Sequence, residues 1–448
     1  MQDYEYQAGF GNQFQTEALP GALPKVQNTP HFAPYGLYTE QINGSSFTVP
    51  RNHNLRTWVY KIHPATMQGP SVPYTQNKNF ISDFFSRENV EVSASQPRWK
   101  PFDPPTSKEV DFINGIGTLC GSGEPSISTG LAIHIYSANA DMKNRAFINS
   151  DGDFLIIPQQ GSLDIQTELG KLYIKPNEFA VIPRGIHFKV NLVDNPNKVC
   201  RGYILEVYGG HFELPDLGPI GANGLANPRD FMYPVACYEH IDNVEYKIIQ
   251  KFQGQLFEAA KNHSPFDVVS WHGNYAPYKY DLEKFCPVSA VLFDHPDPSI
   301  FSVLTCKSNT PGTAVCDFVV FPPRYIVMEN TFRPASFHRN CMSEFVGSIT
   351  DTFDLDDHAL RPGGASLHHV MVPHGPDSNS TAAELIRKED RVFKIPPNNF
   401  SFMFESMFQL RTTKWSMSQE TMFDRNAFGH WKDIKIHFDP TKRDLIPE

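Results

Sequence analysis

The stretch from residue 338 to 374 includes five side chains able to ligate a metal that stand beside turn signals: His338, Glu344, His368, His369 and His374. Two neutral imidazoles with one carboxylate form the facial ligand set that holds Fe(II) in non-haem oxygenases and leaves coordination positions open. The leading combination here is His338, Glu344 and His374. Six residues separate the first two. On one continuous strand that spacing spans roughly 20 Å, and on a helix it points the side chains apart around the axis. The pair can share one ion only if the chain reverses between them, and the polar run Arg339–Ser343 suits such a turn. Spacing alone leaves open that these are ordinary surface or satisfied core histidines, since the chain holds 17.

The surrounding sequence predicts short antiparallel strands with the ligands converging from strand ends. Pro362–Gly364 and Pro373–Gly375 mark further turns. The strand signal is strongest from Gly130 to Val207, where β-branched and aromatic runs (GLAIHIYS, DFLIIPQQ, RGYILEVYG) are broken by turn residues. This stretch looks like a cupin-type barrel, with His187 of IPRGIHF in the place of a ligand. The earlier DFLIIP run offers no histidine pair, so that barrel is read as structural. The runs at 211–231 and 271–282 are dense in turn residues and are expected to be irregular. In PRWKPFDPP the prolines exclude regular structure, and the loop is either a pocket wall, a subunit contact or plain surface. A second strand set begins near Pro287. Helical character is confined mainly to Ser378–Phe393, with Thr381 as a capping residue for the first turn. The last strand-like run is SFMFESMFQLRTTKW.

A chain of 448 residues with 40% hydrophobic residues and 35 Phe is long enough to bury more than one core. Its 37 Pro and 29 Gly suit many short strands joined by turns. The formal charge of −10 argues against nucleic acid or an anionic membrane as the main partner. Seven scattered cysteines without a CxxC fit reduced thiols in a cytoplasmic protein better than a disulfide framework. The opening MQDYEYQAGFGNQF has neither a basic start nor an apolar run, and no stretch approaches 18 apolar residues. Neither a leader nor a membrane span is expected.

Several long motifs then carry a resemblance. FRPASFHRNCMSEF and PHGPD, together with WHGNYAPYKY, GPIGANGLANPRDF, FDHPDPSIFSVLT, FMFES and NSDGDFLI, are similar to those of the homogentisate 1,2-dioxygenase family. The likeness runs from GFGN near the N-terminus to FMFES near the C-terminus. It implies a mostly β protein: a β-rich N-terminal domain with a degenerate cupin-like barrel (1–284), then a C-terminal cupin-like, jelly-roll barrel carrying the metal (285–448). It implies Fe(II) as cofactor, a small aromatic substrate and O2 as partners, and conversion of homogentisate to maleylacetoacetate in tyrosine and phenylalanine breakdown. It implies a hexamer built as a dimer of trimers. Residue by residue, His338, Glu344 and His374 would bind iron and His295 would act as base. His368 would lie beside the substrate, as would the iron histidine His374. Asp294 and Asp297 would either orient His295 or serve as turn residues. Two positions depart from the family pattern. Phe353 stands where a tyrosine usually follows the iron glutamate, and Ser336 replaces an aromatic. These changes leave iron and base untouched but would make the pocket roomier and less polar. A relative acting on another hydroquinone or phenol is therefore an alternative, and a non-enzymatic cupin scaffold a more distant one.

Overall fold

The computed structural model describes every residue except 1–3, 26–29, 194–197, 289–297, 327–336, 351–359, 387–391 and 443–448. The chain is mostly β. Two sheets face each other in the N-terminal region. One is ten-stranded and centres on Glu178–Ile182, Asp153–Gln160, Cys200–Val207, Thr129–Ala138 and Ile116–Glu124, all antiparallel. The other runs through Ser162–Thr167, Phe188–Val193, Arg145–Asn149, Asp242–Phe252 and Gln255–His263. The central strands are apolar on both faces, and both faces are covered: Asp153–Gln160 is buried over its first six residues. Between the sheets Phe147 stacks on Phe154 at 5.8 Å, and Phe188 meets both edge-on. Each such pair adds about 0.5–1.5 kcal/mol beyond the area it buries.

The sheet that carries the leading candidates has seven antiparallel strands. Its order is Phe212–Glu213, Ser302–Lys307, Ala314–Phe321, Phe400–Ser406, Ser343–Thr350, Ala365–His368 and Arg98–Trp99. Both edge strands come from the N-terminal region of the sequence. In exchange, Arg411–Thr413 pairs with Ile116–Glu124 in the ten-stranded sheet. Side chains tie the two regions further. Phe179 packs edge-on against Phe318 at 5.2 Å, and the buried Tyr203 hydroxyl lies 3.0 Å from the Ser348 carbonyl and 2.8 Å from that of Gly364. At Gly347 an added Cβ would sit 2.3 Å from the Phe402 ring, so only glycine lets these neighbouring strands carry that ring.

Three local expectations are corrected. The 271–282 run is not irregular: Val268–Gly273 and Tyr278–Asp281 are strands, because Trp271, Tyr278 and Tyr280 bury their rings despite the turn residues between them. PRWKPFDPP contributes the short Arg98–Trp99 strand before its prolines intervene. The helix spans Ser378–Leu385, and its cap is Asp377, whose carboxylate accepts from the Ser380 N–H. Thr381 lies inside the first turn, where its hydroxyl donates to the Asp377 carbonyl.

Candidate metal centre

His338 and His374 are brought together by their own backbones. Each donates its N–H to the other's carbonyl, at 2.9 and 3.1 Å, and their rings meet edge-on at 4.2 Å. The chain reverses after His338. There the Asn340 side-chain oxygen accepts from the Met342 N–H at 3.0 Å and the Asn340 carbonyl accepts from the Met371 N–H at 2.8 Å. Met371 takes a left-handed φ of 58° as the second segment bends toward His374. Gly375 closes that bend, since a Cβ there would lie 2.6 Å from the Phe337 ring. Glu344 then opens the Ser343–Thr350 strand, directly opposite His368 on one side and Glu405 on the other. Cross-strand partners project from the same face.

The result is one cluster. Glu344 Oε2 lies 3.2 Å from His374 Nε2, and Oε1 lies 3.7 Å from His338 Nε2. One donor atom from each of the three residues lies within 4.8 Å of the others. Glu344 and His374 are buried, while His338 is exposed. His368 stacks on His374 at 4.2 Å, and its Nδ1 stands 3.7 Å from Glu344 Oε2. That nitrogen is buried without a hydrogen-bond partner. His369 is not part of the cluster.

Burial alone would raise the Glu344 carboxyl, but its polar neighbours His368, His374 and Asn340 hold it well below the usual carboxylate range. Burial opposes a charge on His374 as well, yet Glu344 and the Val372 carbonyl draw its pKa upward. Burial dominates at His368 and pushes it down. The carbonyl of Val372, 3.1 Å from His374 Nδ1, can only accept. In the neutral ring Nδ1 therefore carries the proton, and Nε2 points a lone pair at an ionised carboxylate. Two acceptors at 3.2 Å require a cation between them. Among the described residues no lysine or arginine pairs with Glu344. A proton can fill the gap, but a divalent metal fits the whole donor set: two imidazoles, one carboxylate and an outer carbonyl that fixes one ring.

The sequence missed the supporting residues. Asn340 Nδ2 donates to Glu344 Oε1 at 2.8 Å and to Glu405 Oε1 at 2.7 Å. It thereby bridges two carboxylates that would otherwise repel across the sheet. Gln96 donates to the Pro373 carbonyl at 2.8 Å, and the Trp431 indole N–H approaches that of Gly375 at 3.3 Å. The only sequence signal for the first was an Asn in a turn beside the ligands. The second and third come from distant segments that sequence periodicity does not join. His187 binds instead to Glu168, which accepts both its N–H and its Nδ1 side at 2.8 and 2.9 Å. His295, Asp294, Asp297, Ser336 and Phe353 lie outside the described residues.

Comparison with known proteins is consistent over almost the whole chain. The family model for the homogentisate 1,2-dioxygenase N-terminal region matches residues 5–282, and the model for its C-terminal region matches residues 283–438. Homogentisate 1,2-dioxygenase of Drosophila melanogaster is 50% identical over 99% of this chain and 100% of its own length. The Dictyostelium discoideum enzyme of that name is 51% identical over 97% and 98%, and the Homo sapiens one 48% over 99% of each. Among solved structures, a cupin 2 conserved barrel domain protein from Leptotrichia buccalis covers 67% of this chain and 91% of its own, at 10% identity and a TM-score of 0.25.

Proposed function

This chain belongs to the homogentisate 1,2-dioxygenase family, and from that premise we propose that it opens the homogentisate ring with O2 on an Fe(II) ion held by His338, Glu344 and His374. It is an oxidoreductase of the dioxygenase class; its product is maleylacetoacetate, and the reaction belongs to tyrosine catabolism. The observation that carries the metal assignment is the converging donor set: His374 Nε2 and His338 Nε2 lie 3.2 and 3.7 Å from the two Glu344 carboxylate oxygens, with no ammonium or guanidinium partner among the described residues. Iron held by these three residues would supply Lewis-acid activation of a substrate oxygen and electrons for the reduction of O2.

The chain's own residues do the rest. Val372 and Asn340 hold the His374 ring and the Glu344 carboxylate at fixed angles. His368, kept neutral by burial, has Nδ1 available to meet a polar group of the substrate beside His374. His295 takes the phenolic proton of the bound ring; this role rests on the family resemblance, since His295 lies outside the described residues. The division into a structural domain (1–284) and a catalytic domain (285–448) belongs to the same reading. So does assembly into a hexamer. Its support is a run of exposed aromatics, Phe32, Tyr35, Tyr38 and Phe47, that a neighbouring subunit would cover. All seven cysteines are free thiols. Among the described residues no helix is long and apolar enough to cross a membrane. The thiols support a cytoplasmic location.

The test is reconstitution. Metal-free protein given Fe(II) should consume one O2 per homogentisate and yield maleylacetoacetate, whereas the Zn2+-loaded protein should be inert. Equal activity without iron would overturn the assignment.

A further inference from the structure

A second cluster of metal-binding side chains lies far from Glu344 in the sequence, in the N-terminal region. His63 follows the Arg56–Lys61 strand, His263 ends the Gln255–His263 strand and Asp267 precedes the Val268–Gly273 strand. One donor atom from each lies within 4.8 Å of the other two. The two imidazoles stack face to face at 4.0 Å with an interplanar angle of 23°. His263 and Asp267 are almost completely buried, at 2% and 1% exposure.

We propose that His63, His263 and Asp267 form a second divalent-metal site, of a type suited to zinc, that ties these three segments together. It is separate from the catalytic centre and independent of the reading of that centre.

Three observations support a cation at this site. First, both nitrogens of His63 face carboxylates: Nδ1 is 2.9 Å from Asp267 Oδ2, and Nε2 is 3.1 Å from Asp242 Oδ1. A neutral imidazole has one N–H and can satisfy only one of them. With a metal on the Asp267 side, Nε2–H donates to Asp242, the usual outer-carboxylate arrangement of a metal-bound histidine. Second, His263 Nδ1 lies 3.0 Å from the Asn262 side-chain oxygen. Donation there leaves Nε2 as a free lone pair. Third, Asp267 Oδ1 is buried without a hydrogen-bond partner. Lys61 stands 3.6 Å away but is shared with Glu168 at 3.7 Å.

The charge balance also suits a divalent ion. Lys61 and Lys261 are the ammonium groups at the cluster, and the carboxylates around them are Asp267, Glu168, Asp242 and Glu40. Four carboxylates face two ammonium groups, and Glu168 and Asp242 also meet the His187 and His240 rings at 2.9 and 3.2 Å. Four-coordinate zinc sets its donors about 3.3 Å apart, so small side-chain rotations reach the bound geometry. Asp242 is the direct cross-strand partner of His263, which holds the outer carboxylate in register with the ligands.

The experiment uses the iron-loaded protein. One equivalent of Zn2+ is added, unbound metal is removed by desalting, and both metals are counted by mass spectrometry. The expected result is one iron and one zinc per chain, with a Tm several degrees above that of the zinc-free protein. His263→Gln should retain iron and turnover but lose both the zinc and the Tm gain. His63→Gln serves as the second variant should the first fold poorly, and it should lose zinc in the same way. Wild-type protein that keeps no zinc, zinc retained equally by a folded variant, or zinc that enters only by displacing iron would each overturn the proposal.

Discussion

Glu206 and Glu344 are both buried carboxylates flanked by an asparagine amide and histidine, and they are neutralised in different ways. In the N-terminal barrel, Glu206 Oε1 accepts from Asn149 at 2.6 Å and from Lys251 at 2.8 Å, while Oε2 lies 3.2 Å from His134 Nε2. In the C-terminal sheet, Asn340 takes the place of Asn149 and His374 that of His134, but no lysine enters among the described residues. The outer histidine partners differ as well. His134 Nδ1 faces the Thr118 hydroxyl at 2.9 Å, which can donate to it instead of to the Ile81 carbonyl at 3.1 Å, so a neutral His134 can satisfy both neighbours. His374 Nδ1 faces a carbonyl, which cannot. One site thus carries its cation as a covalent piece of the chain, whereas the other has no lysine or arginine beside its carboxylate among the described residues. Counting His and Glu residues does not separate these cases; the donors and acceptors behind them do.

The largest effect is expected at the site that lacks its own cation. Glu344→Ala should reduce iron to background and abolish ring cleavage, as read by metal analysis and oxygen uptake. Retained stoichiometric iron with turnover would remove the distinction between the two carboxylates. His295→Ala should keep iron and slow turnover by about 10²–10⁴, the usual worth of a positioned base. Iron loss instead would make His295 structural or a ligand.

At the other site, Lys251→Met should leave Glu206, and Asp151 2.7 Å from the same ammonium, buried without that cation. Breaking a buried pair by removing one partner costs about 3–5 kcal/mol, which denaturant unfolding would resolve, while iron per folded chain stays unchanged. A neutral outcome would mean that Lys251 does not hold Glu206 as described. Asn340→Leu should weaken iron binding by about 10- to 100-fold, the range for outer residues that orient metal ligands. Unchanged affinity would show that Asn340 serves only the sheet.

The smallest effect is a pH dependence of stability. Burial raises Glu206, Glu168 and Asp153, but Lys251 and His134, His187 and Lys61, and His211 and Arg184 respectively overcome it and hold each carboxyl at about 2. Their folded values lie below the unfolded ones. Their stabilisation is therefore complete above the ordinary carboxylate range and is lost as pH falls through it toward about 2. Melting temperature should fall across that window, and less steeply in Lys251→Met. A profile flat down to about pH 3 would show that these pairs contribute little.

Much of this protein was legible in its sequence. Ligand chemistry singled out the three residues His338, Glu344 and His374, and the six-residue gap demanded a reversal, because neither a strand nor a helix could bring the first two together. Strand runs such as DFLIIP were readable since local alternation and β-branching act over a few residues. What remained hidden depends on distant segments meeting. The Arg98–Trp99 strand beside Ala365–His368, Arg411–Thr413 joined to the N-terminal sheet, and Gln96 on the Pro373 carbonyl have no periodic signature. The same holds for the stacked His63 and His263, which are far apart in the chain. The residue types determined which groups could bind a cation. Tertiary packing decided which of them already had one, because that depends on whether a lysine, a hydroxyl or a carbonyl from elsewhere in the chain lies behind each histidine and carboxylate.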